Sequence, residues 1–293
     1  MTPLRQRMID DMRIRNLSSH TQATYLLQVS LFARHFGKSP EDLGPEEVRA
    51  YQVHLTAERK LAVGSVLIAL GALRFLYKLT LKRDWRLEDL IPLPKKPQTL
   101  PVVLSAAELL QFLACVPGLI HRVILTVCYA AGLRISEAVH LRVVDVDSQR
   151  MVIRVEQGKG QKDRYVMLSP KLLEILRDWW RRGKPTAWLF PGKVAGQPIT
   201  PSAVQRACQI ARRRSGIRKP ITPHSMRHGF AAHLLESGAN VRTIQLLLGH
   251  RSLATTARYL RVATTTVCAT RSPFDLLPAP PAPEPPPTPP QYF

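Results

Sequence analysis

Through the first ninety residues apolar positions recur at helical intervals, and residues with capping character separate them. Thr2-Pro3 opens a first segment. Ser18 or Ser19 caps a second, in which Tyr25, Val29, Phe32 and Phe36 stand at i, i+4, i+7 and i+11 before Gly37 ends it. Pro45, Glu46 and Glu47 start a third with Val48, Tyr51 and Leu55 turned inward, and Val66, Leu70, Leu73 and Tyr77 line a fourth. Strand-type alternation is absent, so residues 1–91 are expected to form a bundle of four short helices.

Four prolines fall within residues 92–101, forbidding a helix and predicting an interdomain linker. Ser105 and Glu108 then form a capping box ahead of Leu109 and Leu110, the predicted start of a second, larger helical domain over 102–271. Two β-type runs, Met151 to Val155 and Arg164 to Leu168, flank the glycine-rich basic stretch 157–163 and predict a hairpin. Further helices are expected at about 170–182, 201–214, 223–236, 240–248 and 252–262. Residues 278–290 hold nine prolines and cannot form a core, which leaves 272–293 as a C-terminal peptide and proline-rich tail.

Charge changes the picture most. Among 293 residues, 42 Lys and Arg face 21 Asp and Glu, a net charge of +21, and such a surplus points to phosphate-rich partners. The longest purely apolar run, Val66 to Leu73 with Gly71 included, is eight residues, so no membrane partner is expected. No secretory signal is evident at the start, and the expected compartment is the cytoplasm. Cys115, Cys128, Cys208 and Cys268 have no CxxC spacing and read as reduced thiols.

Several chemistries fail on their residue requirements. Neither Gly158-Lys159-Gly160 nor Gly183-Lys184-Pro185 has the frame of a nucleotide-binding phosphate loop. A two-metal nuclease needs clustered carboxylates, and the pair Asp145 and Asp147 lacks a third. His224 and His228 have zinc-ligand spacing, yet Arg227 beside them would repel the cation. What remains is a set of cations, imidazoles and one tyrosine: Arg134, Lys159, His224, Arg227, His250 and Tyr259. His224 and Arg227 fall in the first turn after Thr222-Pro223, on one face and at the positive end of a helix dipole, which suits an anion. His250 ends the next helix and Tyr259 lies nine residues on, close enough to return to the same cleft.

Taken in order, Ala130-Ala131-Gly132-Leu133-Arg134-Ile135-Ser136-Glu137, Gly158-Lys159-Gly160, His224-Ser225-Met226-Arg227-His228, Leu248-Gly249-His250 and Ala257-Arg258-Tyr259 resemble the motif series of the tyrosine site-specific recombinases, the phage integrase family. The resemblance covers roughly residues 1–265. It implies a mainly α fold, with an N-terminal four-helix core-binding (SAM-like) domain and a mainly helical catalytic domain carrying a small β-hairpin or sheet. It implies site-specific recombination of double-stranded DNA through a 3′-phosphotyrosine on Tyr259, needing neither ATP nor metal. Arg134 and Arg227 would hold the non-bridging phosphate oxygens, where a guanidinium fork serves better than an ammonium. Lys159, with Lys162 as rival, would protonate the leaving 5′-oxygen. His224 and His250 would position groups and exchange protons, His224 serving as base toward Tyr259. Glu137 would orient a neighbouring group, while His228 and His233 read as packing or surface residues. The family also implies a homotetramer on DNA, with an accessory DNA-bending protein or co-recombinase as a further partner, in a mobile-element setting.

A type IB topoisomerase and a non-catalytic DNA-binding architectural protein are the alternative readings. The arginines at 212–214, with Arg218 and Lys219, are expected to track the DNA backbone. Two features depart from the family pattern. Gly229 stands where a hydroxyl residue is usual, and Phe274, Leu276 and Leu277 lie in a short apolar peptide expected to pack on an adjacent protomer.

Overall fold

The computed structural model describes residues 2–83, 85, 93–94, 99–156 and 163–262. The predicted hairpin tip, Lys159 and Lys162 with it, and the C-terminal peptide with Phe274, Leu276 and Leu277 lie outside those residues. The chain divides into two compact units, Met1–Thr99 and Leu100–Phe293.

The first unit is built on α1 (Pro3–Ile14), α2 (Ser19–Phe36), α3 (Pro45–Val53) and α4 (Val63–Phe75). Their boundaries follow the caps. The Thr2 hydroxyl accepts from the Arg5 N–H, the Ser18 hydroxyl from the Thr21 N–H, and Gly37 closes α2 at φ 65°. Both α3 and α4 continue into single π-type turns, His54–Glu58 and Leu76–Thr80, which carry Leu55, Leu76 and Tyr77 into the core. Phe32 sits at the centre, with Tyr51 at 5.1 Å and Phe36 at 5.4 Å between ring centroids, both edge-on.

Val63–Thr80 is long and apolar enough by composition to cross a membrane, at a mean hydropathy of 1.5 over 18 residues, a property that the length of purely apolar runs does not register. Val66, Ala69, Leu70, Leu73, Leu76 and Tyr77 of this segment are buried in the bundle core, which accounts for its hydropathy.

The second unit opens with α5 (Ala106–Ala114), started by the reciprocal Ser105–Glu108 box at 3.2 and 2.8 Å. Two helices that start and stop signals leave unmarked follow: α6 (Leu119–Ala130), whose Val123, Ile124, Leu125, Val127 and Cys128 are buried, and the short α7 (Ile135–Val139). The β feature is larger than a hairpin. It is an antiparallel sheet of β1 (Val146–Asp147), β2 (Val152–Val155) and β3 (Arg164–Met167), ordered β1-β2-β3, with Ile153 facing both Val146 and Val166. Alternation along β2 buries Ile153 and Val155 in the core. The two carboxylates of the Asp145 and Asp147 pair have local duties. Asp145 accepts from the Arg142 N–H and the Arg154 guanidinium, and Asp147 from the Gln149 and Arg150 N–H groups.

Next come α8 (Pro170–Gly183), α9 (Pro201–Ser215), α10 (Pro223–Glu236), α11 (Val241–Leu248) and α12 (Leu253–Ala257). The predicted last helix is therefore two elements, because α12 ends at Ala257 and a 3₁₀ turn, Arg258–Arg261, completes it. One basic residue is withdrawn from the expected DNA-tracking set. Lys219 Nζ donates to Glu108 at 2.6 Å and to the Val103 carbonyl at 3.1 Å, tying the start of α5 to the chain after α9. Arg212, Arg213 and Arg214 occupy the last turn of α9, where their charge also complements the helix dipole. Cys115, Cys128 and Cys208 are free thiols, and Cys268 lies outside the described residues.

Candidate active site

The candidate site is assembled around one carboxylate. Glu137, in the first turn of α7, accepts the Arg134 backbone N–H at 2.9 Å and the Arg134 guanidinium at 2.6 Å. From β3, Arg164 reaches the same carboxylate in a two-pronged contact at 3.1 and 2.8 Å, and its Nε donates to the Leu247 carbonyl at 3.0 Å. Arg227 of α10 lies 3.7 Å away. Three guanidinium groups from α7, β3 and α10 thus share a single counter-charge, leaving a surplus of positive charge.

Burial alone would raise the Glu137 pKa, but the Arg164 hydrogen bonds and charge, followed by those of Arg134, outweigh it and hold the carboxyl at about 2.

Arg227 is 1% exposed and is fixed by carbonyls as well as by charge. It donates to the Gly132 carbonyl at 2.6 Å and, in a very short contact, to the Leu248 carbonyl. Those carbonyls belong to two turns that need glycine. Gly132 has φ 63°, and a Cβ there would meet the Phe230 ring at 2.5 Å; Gly249, at φ 61°, closes α11. Burial and the nearby Arg134 press against the Arg227 charge, while Glu137 supports it. The guanidinium stays protonated.

On the other side of Arg227 lie the imidazoles and the tyrosine. The Thr222 hydroxyl caps α10 on the Ser225 N–H, setting His224, Arg227 and His228 in the first two turns. His224 is solvent-exposed, and its ring meets that of His228 edge-on at 4.5 Å. His228 Nδ1 is 2.9 Å from the Tyr259 hydroxyl. Tyr259, in the 3₁₀ turn, is 2% exposed and packs with Phe230, Ile244 and Leu248. His250 follows Gly249; its Nδ1 is 2.8 Å from the Thr256 hydroxyl, and its carbonyl accepts from Gln245 at 3.0 Å.

Burial, with this surplus of cations behind it, keeps the imidazoles neutral. Burial first, then His224, Arg258 and Arg227, pushes the His228 pKa down to about 3; burial and Arg227 push His250 down to about 4. His224 is lowered too, by close packing around the ring and by Arg227, Arg134 and Arg258. Burial raises the Tyr259 pKa and the same arginines pull against it. The resting site therefore holds a protonated phenol among neutral rings and charged guanidiniums.

Five of the six residues singled out from the sequence, Arg134, His224, Arg227, His250 and Tyr259, converge here; the sixth, Lys159, lies outside the described residues. Two differences stand out. The imidazole on the Tyr259 hydroxyl is that of His228, which reads as a packing residue in sequence, and not that of His224. Arg164 also enters the site, although in sequence it is only the polar first residue of a strand. The signal that could have found it is its own position, since a guanidinium at the start of a strand with a buried face needs an anion within reach.

Comparisons with known proteins bear on the family and the fold. Residues 103–266 match the phage integrase family, and residues 4–87 match the phage integrase N-terminal SAM-like domain. A Sinorhizobium fredii protein, named by inference as an integrase/recombinase, is 67% identical over 293 residues, covering 100% of this chain and 95% of its own length. A tyrosine recombinase of Pseudothermotoga lettingae is 33% identical over 261 residues, covering 86% of this chain and 90% of its own. The fold is that of a lambda integrase dimer solved on a COC′ core site, at TM-score 0.71 and 19% identity over 87% of this chain and 93% of that one. The chain belongs to the phage integrase family, the tyrosine site-specific recombinases that break and rejoin DNA.

Proposed function

We propose that Tyr259 attacks a DNA phosphodiester in line, leaving a 3′-phosphotyrosine and a free 5′-hydroxyl. The observation that carries this reading is the convergence of the Tyr259 hydroxyl with Arg227 and Arg134 on a site with one buried carboxylate. Arg134 and Arg227 take the two non-bridging oxygens. Because Arg227 is held by two carbonyls and Glu137, it needs no rearrangement when charge builds on the pentavalent phosphorus. Glu137 and Arg164 are positioning residues that set the angle of the Arg134 fork. His250, held by Thr256, shares a phosphate oxygen, and His224 at the exposed mouth exchanges protons with solvent. Lys159 protonates the leaving 5′-oxygen.

The bond energy is kept in the phosphotyrosine, so rejoining needs neither ATP nor metal. Residues 1–91 serve as the core-binding domain, 92–101 as the linker, and 102–271 as the catalytic domain. Recombination proceeds in a homotetramer that joins two DNA sites, in a mobile-element setting within the cytoplasm, with a DNA-bending protein or co-recombinase as a further partner.

The test is covalent trapping with DNA from the protein's own locus, EDTA present and ATP omitted, followed by denaturing gel analysis. Wild type is expected to give an adduct and Tyr259→Phe none. Tight binding without an adduct in wild type, or an adduct that persists in Tyr259→Phe, would remove the assignment.

A further inference from the structure

We infer that His228, rather than His224, is the catalytic group that holds the Tyr259 hydroxyl and takes its proton during cleavage. The inference deepens the proposed function and rests on Tyr259 as nucleophile. His228 Nδ1 lies 2.9 Å from the phenol oxygen, with ring centroids 5.6 Å apart. His224, one turn earlier on α10, meets the His228 ring and not the hydroxyl. Tyr259 is buried, so solvent reaches its O–H poorly and an internal acceptor is needed.

The direction of the hydrogen bond follows from the charges around the pair. His224 and Arg227 face His228 from its own helix, His250 from the turn after α11, and Arg258 from the 3₁₀ turn; Arg134 adds its charge on Tyr259. Tyr129 of α6 also packs on α10, but its hydroxyl pairs with His233. Burial and the arginines keep His228 neutral, and burial outweighs the arginines to keep Tyr259 protonated, so the phenol donates and Nδ1 accepts. As the Tyr259 oxygen bonds to phosphorus, the P–O5′ bond breaks and the phenol proton passes to Nδ1. The 5′-oxygen takes a proton from the general acid, assigned above to Lys159. Entry of the anionic phosphate offsets the surrounding arginines and makes the imidazole a stronger base at that moment. Nucleophile and base are thus brought together by α10 and the 3₁₀ turn, within one packed unit.

The experiment is single-turnover cleavage of a nicked suicide duplex carrying the protein's own site, at saturating protein, from pH 7 to 8.5. The wild-type rate is expected to be nearly independent of pH, because all three imidazoles are neutral there. His228→Ala should cleave about 10² to 10⁴-fold more slowly with unchanged affinity for DNA. Its rate should climb about tenfold per pH unit, since the phenolate must then form by loss of a proton to water. His228→Gln, which keeps a polar side chain of similar reach, should slow in the same way, and His224→Ala should keep the flat profile. Wild-type speed in both His228 variants would overturn the inference. So would faster cleavage, which would make His228 a latch on the nucleophile, or slower cleavage with a flat profile. An adduct surviving in Tyr259→Phe would instead overturn the parent reading.

Discussion

In the N-terminal unit the core is almost wholly apolar, with Thr80 as its one buried polar residue among those described, whereas the C-terminal unit buries Asp145, Ser215, Ser225, Arg227, Gln245 and Thr256. Phe32, Leu70, Leu73 and Tyr77 stabilise the first by burial of apolar area and edge-on ring packing. The second has a comparable apolar core behind α6 and β2, but beside it a smaller cluster of Phe230, Ile244, Leu248 and Tyr259 shares space with Glu137 and its arginines. Folding and chemistry are separable in the one and joined in the other. Truncating an apolar side chain weakens the bundle by the area and volume removed, while deleting a charge from the hub leaves its buried partners without compensation.

Glu137→Ala puts that contrast to its most severe trial. It strands Arg164, 12% exposed, and Arg227, 1% exposed, without their shared carboxylate. We expect a loss of about 3–5 kcal/mol in the C-terminal unit together with loss of the covalent adduct. Leu73→Ala is the matched apolar deletion, costing about 2–5 kcal/mol in the N-terminal unit. Hydrogen exchange resolved by segment reads both: faster exchange confined to α6, α10 and α11 for the first, and to α1, α2 and α4 for the second. If Leu73→Ala loosens α10 as strongly as Glu137→Ala does, the two units do not hold their stability separately.

The same contrast explains what the sequence discloses. The bundle is legible because an apolar core leaves a periodic trace: Tyr25, Val29, Phe32 and Phe36 mark one stripe, and Thr2, Ser18 and Gly37 mark its ends. In the C-terminal unit α6 goes unmarked because it is buried on most sides and lacks a capping signal, Gly118 standing at its N-cap. β1 pairs only two residues and leaves no pattern to read. The motif series brings forward Arg134, Arg227, His250 and Tyr259, whose spacing along the chain reflects single helices and turns. Arg164 and His228 are hidden for a different reason, since their partners are far away in sequence: Glu137 is 27 positions from the one and Tyr259 31 from the other. Local pattern does not encode which of two histidines, one turn apart on α10, meets a residue arriving from the 3₁₀ turn.

Acid should widen the gap between the two units next. His228 and His250 have folded pKa values of about 3 and 4, below the ordinary value of 6.5. Below pH 6.5 the unfolded chain therefore binds protons that the native site refuses, and stability falls as pH drops toward 4. Allowing for their partial exposure, the pair should cost the C-terminal unit about 2 kcal/mol at pH 5 relative to pH 7. Below pH 4 the Glu137 carboxyl, held at about 2, adds to the loss as the unfolded chain takes up its proton first. Urea unfolding at stepped pH checks this, and the double variant His228→Phe/His250→Phe should flatten the step between pH 7 and 5. A step that survives in that variant would place its source elsewhere.

A weaker effect separates two glycines, each beside an aromatic ring. At Gly132 the positive φ and the Phe230 ring at 2.5 Å exclude a side chain, so Gly132→Ala should destabilise and disturb the carbonyl that holds Arg227. Gly229 lies inside α10, and a Cβ there would find only the Tyr129 ring at 3.6 Å, an ordinary contact. Nothing in the backbone requires glycine at that position, and an interior helical glycine costs conformational entropy. Gly229→Ala should therefore stabilise the C-terminal unit by about 0.5–1 kcal/mol, read as a rise in the urea midpoint with an unchanged slope. Loss of stability would mean that α10 is packed against α6 more tightly than that 3.6 Å separation implies, and that the space beside the helix carrying Arg227 and His228 is already filled.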